Sequence, residues 1–122
     1  MRLIALALAA GALAAAPFKA TLQAPGHAPK IRTKWWYTVR ATKGAKPAAG
    51  RITVQIVDPL GEAHAVDYDG TKKPIVNRPF AGTFRDYVIW PADSREVMLK
   101  LRVTVTVGSA KKVIQYAVTP RA

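Results

Sequence analysis

Beyond residue 16 the chain alternates apolar and polar positions with a period of two, as strands with one buried face do. The clearest run is 97–107, where Val97, Leu99, Leu101, Val103, Val105 and Val107 oppose Met98, Lys100, Arg102, Thr104 and Thr106. Residues 31–42 repeat the pattern. Ile31, Thr33, Trp35, Tyr37, Val39 and Ala41 share one face, and Arg32, Lys34, Trp36, Thr38 and Arg40 share the other. In 51–57, Ile52, Val54 and Ile56 alternate with Arg51, Thr53 and Gln55. Asp58-Pro59-Leu60-Gly61 then fits a type I turn, with Asp first, Pro second and Gly fourth, so a hairpin partner is expected over 62–68. Strands are also expected at 18–24, ended by Pro25-Gly26, and at 112–118, entered through Gly108-Ser109-Ala110 with Ile114, Tyr116 and Val118 inward. Residues 83–90 are β-rich, but turning Phe84, Val88 and Trp90 inward also turns Asp86 inward. That requires a bulge or a hydrogen-bonded carboxylate. Residues 43–50 read as a loop, 69–79 as a long connection and 91–96 as a turn.

Residues 1–16 break this pattern. Arg2 is followed by fourteen small or apolar residues, fewer than the ~20 that a membrane-spanning helix needs. A cationic start and a short apolar run read as a helical signal peptide. Ala12 and Ala14 supply an Ala-x-Ala cleavage site, so 1–14 is expected to be removed and one domain to span 15–122. Retention of the segment as an anchor is the alternative. No twin-arginine pair is present, which favours export in the unfolded state to a secreted or envelope-associated location.

Seven strands in roughly 100 residues, separated by Gly and Pro, predict an all-β, two-sheet sandwich of immunoglobulin-like or fibronectin-like type. A small barrel is the rival. Trp35 is the expected aromatic between the sheets. Half of the 122 residues are hydrophobic, enough to build one core. The absence of cysteine removes disulfides, thiolate-ligated zinc, iron–sulfur or blue-copper centres, and a cysteine nucleophile. Packing alone must hold the sheets together.

Two blocks of short motifs then stand out. The first is His27-Ala-Pro29, Trp36-Tyr37-Thr38-Val39, Gly44-Ala-Lys46-Pro47 and Gly50. The second is Phe80-Ala-Gly82, Phe84-Arg-Asp86, Trp90-Pro91 and Val103-Thr-Val105. In this order they resemble small exported immunoglobulin-like domains of high-GC bacteria, a group with no assigned activity. The resemblance covers nearly all of 15–122 and implies the sandwich fold, with no functional residue to carry over. Arg95-Glu96 stands where a glycine-containing corner is expected.

Charge narrows the partners. The formal net charge is +12, from 19 Lys and Arg against seven Asp and Glu. Loss of 1–14 takes only Arg2 with it and leaves +11 over 108 residues. For an exported protein the abundant polyanions are acidic envelope polymers and anionic lipid headgroups, and nucleic acid is no longer the leading partner. The row Arg32, Lys34, Trp36 and Arg40 interleaves cations with an aromatic, and Lys100 and Arg102 add charge on another strand. Cations attract a polyanion at long range, while an indole stacks on a sugar ring or a cation. These six residues form the candidate binding set. In an immunoglobulin-like topology the two strands belong to different sheets, which divides the charge between two faces. A module pairing with another envelope protein through an edge strand is the second reading. A merely solvated basic surface is the third.

Other chemistries find little support. His27 and His64 lack metal-ligand spacing. Asp67-Tyr68-Asp69-Gly70, with Asp58 and Glu62 nearby, has too few oxygen ligands at set spacing for a calcium loop. Ser94 and Ser109, the two serines, fall in expected turns, and no nucleophile elbow, HExxH helix or glycine-rich phosphate loop is present. The expectation is a non-catalytic binding or structural module without a cofactor or metal, with an envelope enzyme or metal-binding protein as the minor alternative.

Overall fold

The computed structural model describes residues 18–122, and the segment expected to be a signal peptide lies outside the described residues. Nine strands alternate with two short 3-10 turns. The strands are β1 (Lys19–Gln23), β2 (Lys34–Lys43), β3 (Lys46–Pro47), β4 (Ala49–Val57), β5 (Ala63–Ala65), β6 (Arg78–Ala81), β7 (Thr83–Ile89), β8 (Leu99–Val107) and β9 (Ala110–Val118). The 3-10 turns cover Tyr68–Gly70 and Ala92–Ser94. One antiparallel sheet holds β1, β2, β3 and β7, and the other runs β5–β4–β8–β9, with β6 also paired to β4. The two sheets enclose one core, a β-sandwich-like arrangement. Among the described residues no helix is long and apolar enough to cross a membrane.

The core follows from the period-two pattern. Trp35, Tyr37, Val39 and Ala41 from β2 meet Ile52 and Val54 from β4 and Leu101, Val103 and Val105 from β8 in one buried cluster. Trp35 is the expected inter-sheet aromatic. It lies edge-on to Trp90 at 5.6 Å, and its indole N–H donates to the Gly26 carbonyl at 3.2 Å.

Departures from the expected elements have local causes. Arg32 leaves the strand assigned to 31–42. Its backbone is left-handed (φ 62°), and its N–H donates to the Trp90 carbonyl at 2.9 Å. Ile31 is tied instead to the Arg121 carbonyl, so β2 begins only at Lys34. β7 has no bulge against β2, since their register runs unbroken from Lys34↔Ile89 to Arg40↔Thr83. Asp86 is the hydrogen-bonded carboxylate, accepting the Asp69 N–H at 3.1 and 3.2 Å. Two short strands, β3 and β6, raise the count from seven to nine. β6 contains Pro79, which a sheet tolerates at an edge because no ladder partner needs its missing N–H. Glu96 takes the left-handed backbone (φ 64°) of the expected glycine corner, with its N–H on the Pro120 carbonyl at 2.7 Å.

At Gly50 in β4, a Cβ would lie 2.3 Å from the Thr106 carbonyl oxygen of β8. Backbone cannot swing aside as a side chain can. Gly50→Ala is therefore expected to cost about 1–3 kcal/mol, the usual range for overpacking. Urea titration checks this, and an unchanged midpoint would show that the ladder opens there freely.

Candidate functional site

Alternation along β1, β2 and β7 sends Lys19, Lys34, Arg40 and Arg85 to the outer face of their sheet. The only carboxylate on these strands, Asp86, points inward and is 1% exposed. The centre of the face is aromatic. Trp36 and Tyr87 are cross-strand partners with ring centroids 4.9 Å apart at 58°. The Arg85 guanidinium lies over the Trp36 ring at 4.0 Å, and the Lys34 ammonium lies over Tyr87 at 4.7 Å. Arg40 donates to the Gln23 side chain at 2.8 Å, which steadies it on the same face. Trp36 remains 37% exposed, and Ile89 beside it 51%. A shallow cleft of about 200 Å³, lined by Asp67, Gly70, Tyr87 and Ile89 among others, adjoins this platform. Partial burial pushes the Tyr87 phenol above its ordinary pKa, and the nearby Asp69 charge adds to the effect.

Of the six sequence-derived candidates, Lys34, Trp36 and Arg40 share this face. Arg32 sits in the preceding turn and is not part of the strand row. Lys100 and Arg102 belong to β8, in the other sheet, so they cannot act with Trp36 as one patch. Arg102 is committed to the Gln55 side chain through two bonds of 3.0 and 3.2 Å. The residues missed are Arg85 and Tyr87. Their outward parity was legible in 83–90, but their contact with Lys34 and Trp36 follows from β2–β7 pairing, which alternation within one strand does not specify.

Neither histidine stands alone. His27 stacks on Tyr116 at 4.2 Å, and its Nδ1 lies 2.6 Å from the Ala117 carbonyl, fastening the chain before β2 to β9. His64 Nε2 meets Asp58 Oδ2 in a hydrogen bond of 2.9 Å. The other Asp58 oxygen accepts the Leu60 and Glu62 N–H groups at 2.9 Å each, as an aspartate opening a tight turn does. The His64 hydrogen bond is the main cause holding the Asp58 carboxyl below its ordinary range. Asp58, Glu62 and His64 bring donor atoms within 4.8 Å of one another on an exposed hairpin. Ser94 lines the same cleft as Asp58 and His64. Its hydroxyl donates to the Pro91 carbonyl at 2.6 Å, and no hydrogen bond joins it to His64 among the described residues.

No protein-family model matches the chain, and no curated protein matches it. Among solved structures, the chain is similar to a DUF4466 family protein from Parabacteroides merdae, with 12% identity and a TM-score of 0.44. The match covers 84% of this chain and 43% of that one, so the chain spans less than half the length of that structure.

Proposed function

We propose that this is an exported, non-catalytic binding module that adheres to an acidic envelope polysaccharide through the outer face of the β1–β2–β7 sheet. The carrying observation is the Lys34–Tyr87–Trp36–Arg85 array: an aromatic platform flanked by cations on strands with no outward carboxylate. An acidic sugar polymer presents both features that such a face complements, ring faces for stacking and carboxylates or phosphates for the cations. Arg85 preserves that role while covering one side of Trp36, because a planar guanidinium can stack and still donate hydrogen bonds.

The fold proposed to carry this face is immunoglobulin-like or fibronectin-like. The grouping of β1, β2 and β7 against β5, β4, β8 and β9 supports this type, as does the resemblance to small exported domains of high-GC bacteria. Pairing with a protein through the β9 edge has weaker support. Lys111 and Lys112 stand at its start, and charged residues on an edge discourage strand addition.

Retention on immobilised polygalacturonate, with neutral dextran as the control matrix, tests the proposal. Binding is expected to fall steeply as salt rises, since exposed charges are screened beyond about 8–10 Å near physiological ionic strength. Trp36→Ala is expected to weaken binding about five-fold, in line with one exposed cation–aromatic or stacking contact. Lys34→Gln/Arg40→Gln/Arg85→Gln is expected to abolish retention at physiological salt. Undiminished retention of the triple variant would remove this face from consideration.

A further inference from the structure

We infer that one end of the sandwich, ringed by Lys19, Lys43, Lys46, Lys111 and Lys112, docks the domain on an anionic lipid bilayer. The strand registers bring these five together. Lys43 faces Lys46 across the β2–β3 turn, and Lys19 lies opposite the adjacent Thr42. Lys111 opposes Thr106 beside the β8–β9 turn. The Lys112 ammonium lies 5.7 Å from the Phe18 ring, which ties the start of β9 to the start of β1. All five lysines are exposed, and none is ion-paired among the described residues. The loops at this end, 43–50, 81–83 and 107–112, contain no carboxylate.

The opposite end is different. There Asp58, Glu62, Asp93 and Glu96 stand among Lys30, Arg32, Lys34, Arg95, Lys100 and Arg121, six cations against four acids, so most of the positive charge is offset. The larger uncompensated charge therefore lies at the lysine pole. The tips between the lysines are small, Gly44, Ala45, Gly108 and Ser109, and let a flat surface approach. Trp36 and Tyr87, the groups suited to sugar rings, lie on β2 and β7, away from these tips. A headgroup layer needs no aromatic platform. It attracts each nearby lysine by roughly a five-fold gain in affinity, an effect that decays within a Debye length.

The test is co-sedimentation of the full chain with vesicles of phosphatidylcholine alone or with 30% phosphatidylglycerol. Binding is expected only to the anionic vesicles and is expected to be lost in 0.5 M salt. Lys43→Gln/Lys46→Gln/Lys111→Gln/Lys112→Gln is expected to weaken it by about 100-fold or more. A second variant, Lys72→Gln/Lys73→Gln/Arg95→Gln/Lys100→Gln, removes the same charge from exposed sites elsewhere and is expected to stay within about three-fold of the parent. Equal losses in the two variants would mean that net charge alone binds lipid, and would overturn the docking pole. Equal binding to neutral and anionic vesicles would overturn it too. Polygalacturonate retention by the pole variant remains a separate readout, so failure here leaves the Trp36 face standing.

Discussion

Trp90→Ala is expected to lower the unfolding free energy by about 3–5 kcal/mol, the range for truncating a large buried aromatic. The indole is 0% exposed and sits where β7 ends, edge-on to Trp35. Trp35 in turn packs against Tyr37 at 6.3 Å and Tyr116 at 5.8 Å, so the cavity would open among aromatics from both sheets. Small groups cannot collapse into such a space without moving a sheet. The Trp90 indole N–H meets no hydrogen-bond partner among the described residues, so its stabilisation comes from packing alone. Trp90→Phe keeps most of that packing and is expected to lose less than half as much. A domain of this size has about 5–15 kcal/mol in total, and this chain has no disulfide to limit the unfolded ensemble. Urea titration followed by circular dichroism measures both variants. An alanine variant within 1 kcal/mol of the parent would contradict a core centred on the Trp35–Trp90 pair.

The same alternation that buried Trp35 made the sandwich-like architecture legible. β2, β4 and β8 each carry an uninterrupted apolar face, and residues at period two cannot be buried together in any other regular element. What escaped the pattern was set by contacts distant in sequence. Arg32 has the right parity for β2, yet the Trp90 and Arg121 carbonyls draw the 31–32 backbone into a turn. Pro79 argues against a strand, and only the edge position of β6 permits one. At the candidate site, Lys34, Trp36 and Arg40 could be read from one strand. Their partners Arg85 and Tyr87 required knowing that residue 36 lies opposite residue 87. Lys100 and Arg102 had the same outward parity and similar charge, but parity carries no information about which sheet a strand joins.

Asp86 connects this core to the rim of the face, and its titration gives the second large effect. Its carboxylate is 1% exposed, opposite Tyr37 in the strand register, and accepts the Asp69 N–H. Burial is the main cause raising its pKa above the ordinary 3.8, despite hydrogen bonds from the Tyr87 and Asp69 backbone and the nearby Arg78 charge. Burial, with the Asp86 charge added, also pushes the Tyr37 phenol upward, so it stays neutral and adds no second negative charge beside the carboxylate. A raised folded pKa means that the native state holds the proton to higher pH than the unfolded chain does. Stability from this group therefore falls as pH rises from 3.8 through the folded value, then stays level. Asp58 has the opposite sign. Its lowered pKa gives stability that is present above 3.8 and lost as pH falls through the folded value.

Asp86→Asn removes the charge and keeps an oxygen for the Asp69 N–H. Its stability relative to the parent is expected to increase as pH rises from the ordinary 3.8 through the folded value and then to level off, a difference that cancels the titrating groups remote from Asp86. Asp86→Ala, compared at acid pH where the parent carboxyl is protonated, is expected to lose about 1–3 kcal/mol because the Asp69 N–H then lacks an acceptor. Asp69 also neighbours Tyr87 on the aromatic platform, so the alanine variant is expected to loosen that rim and weaken polygalacturonate retention, while the asparagine variant keeps it. Urea titrations across this pH range decide the sign. A relative stability for Asp86→Asn that falls with pH would mean the buried carboxylate is held ionised by its donors, with burial the lesser force.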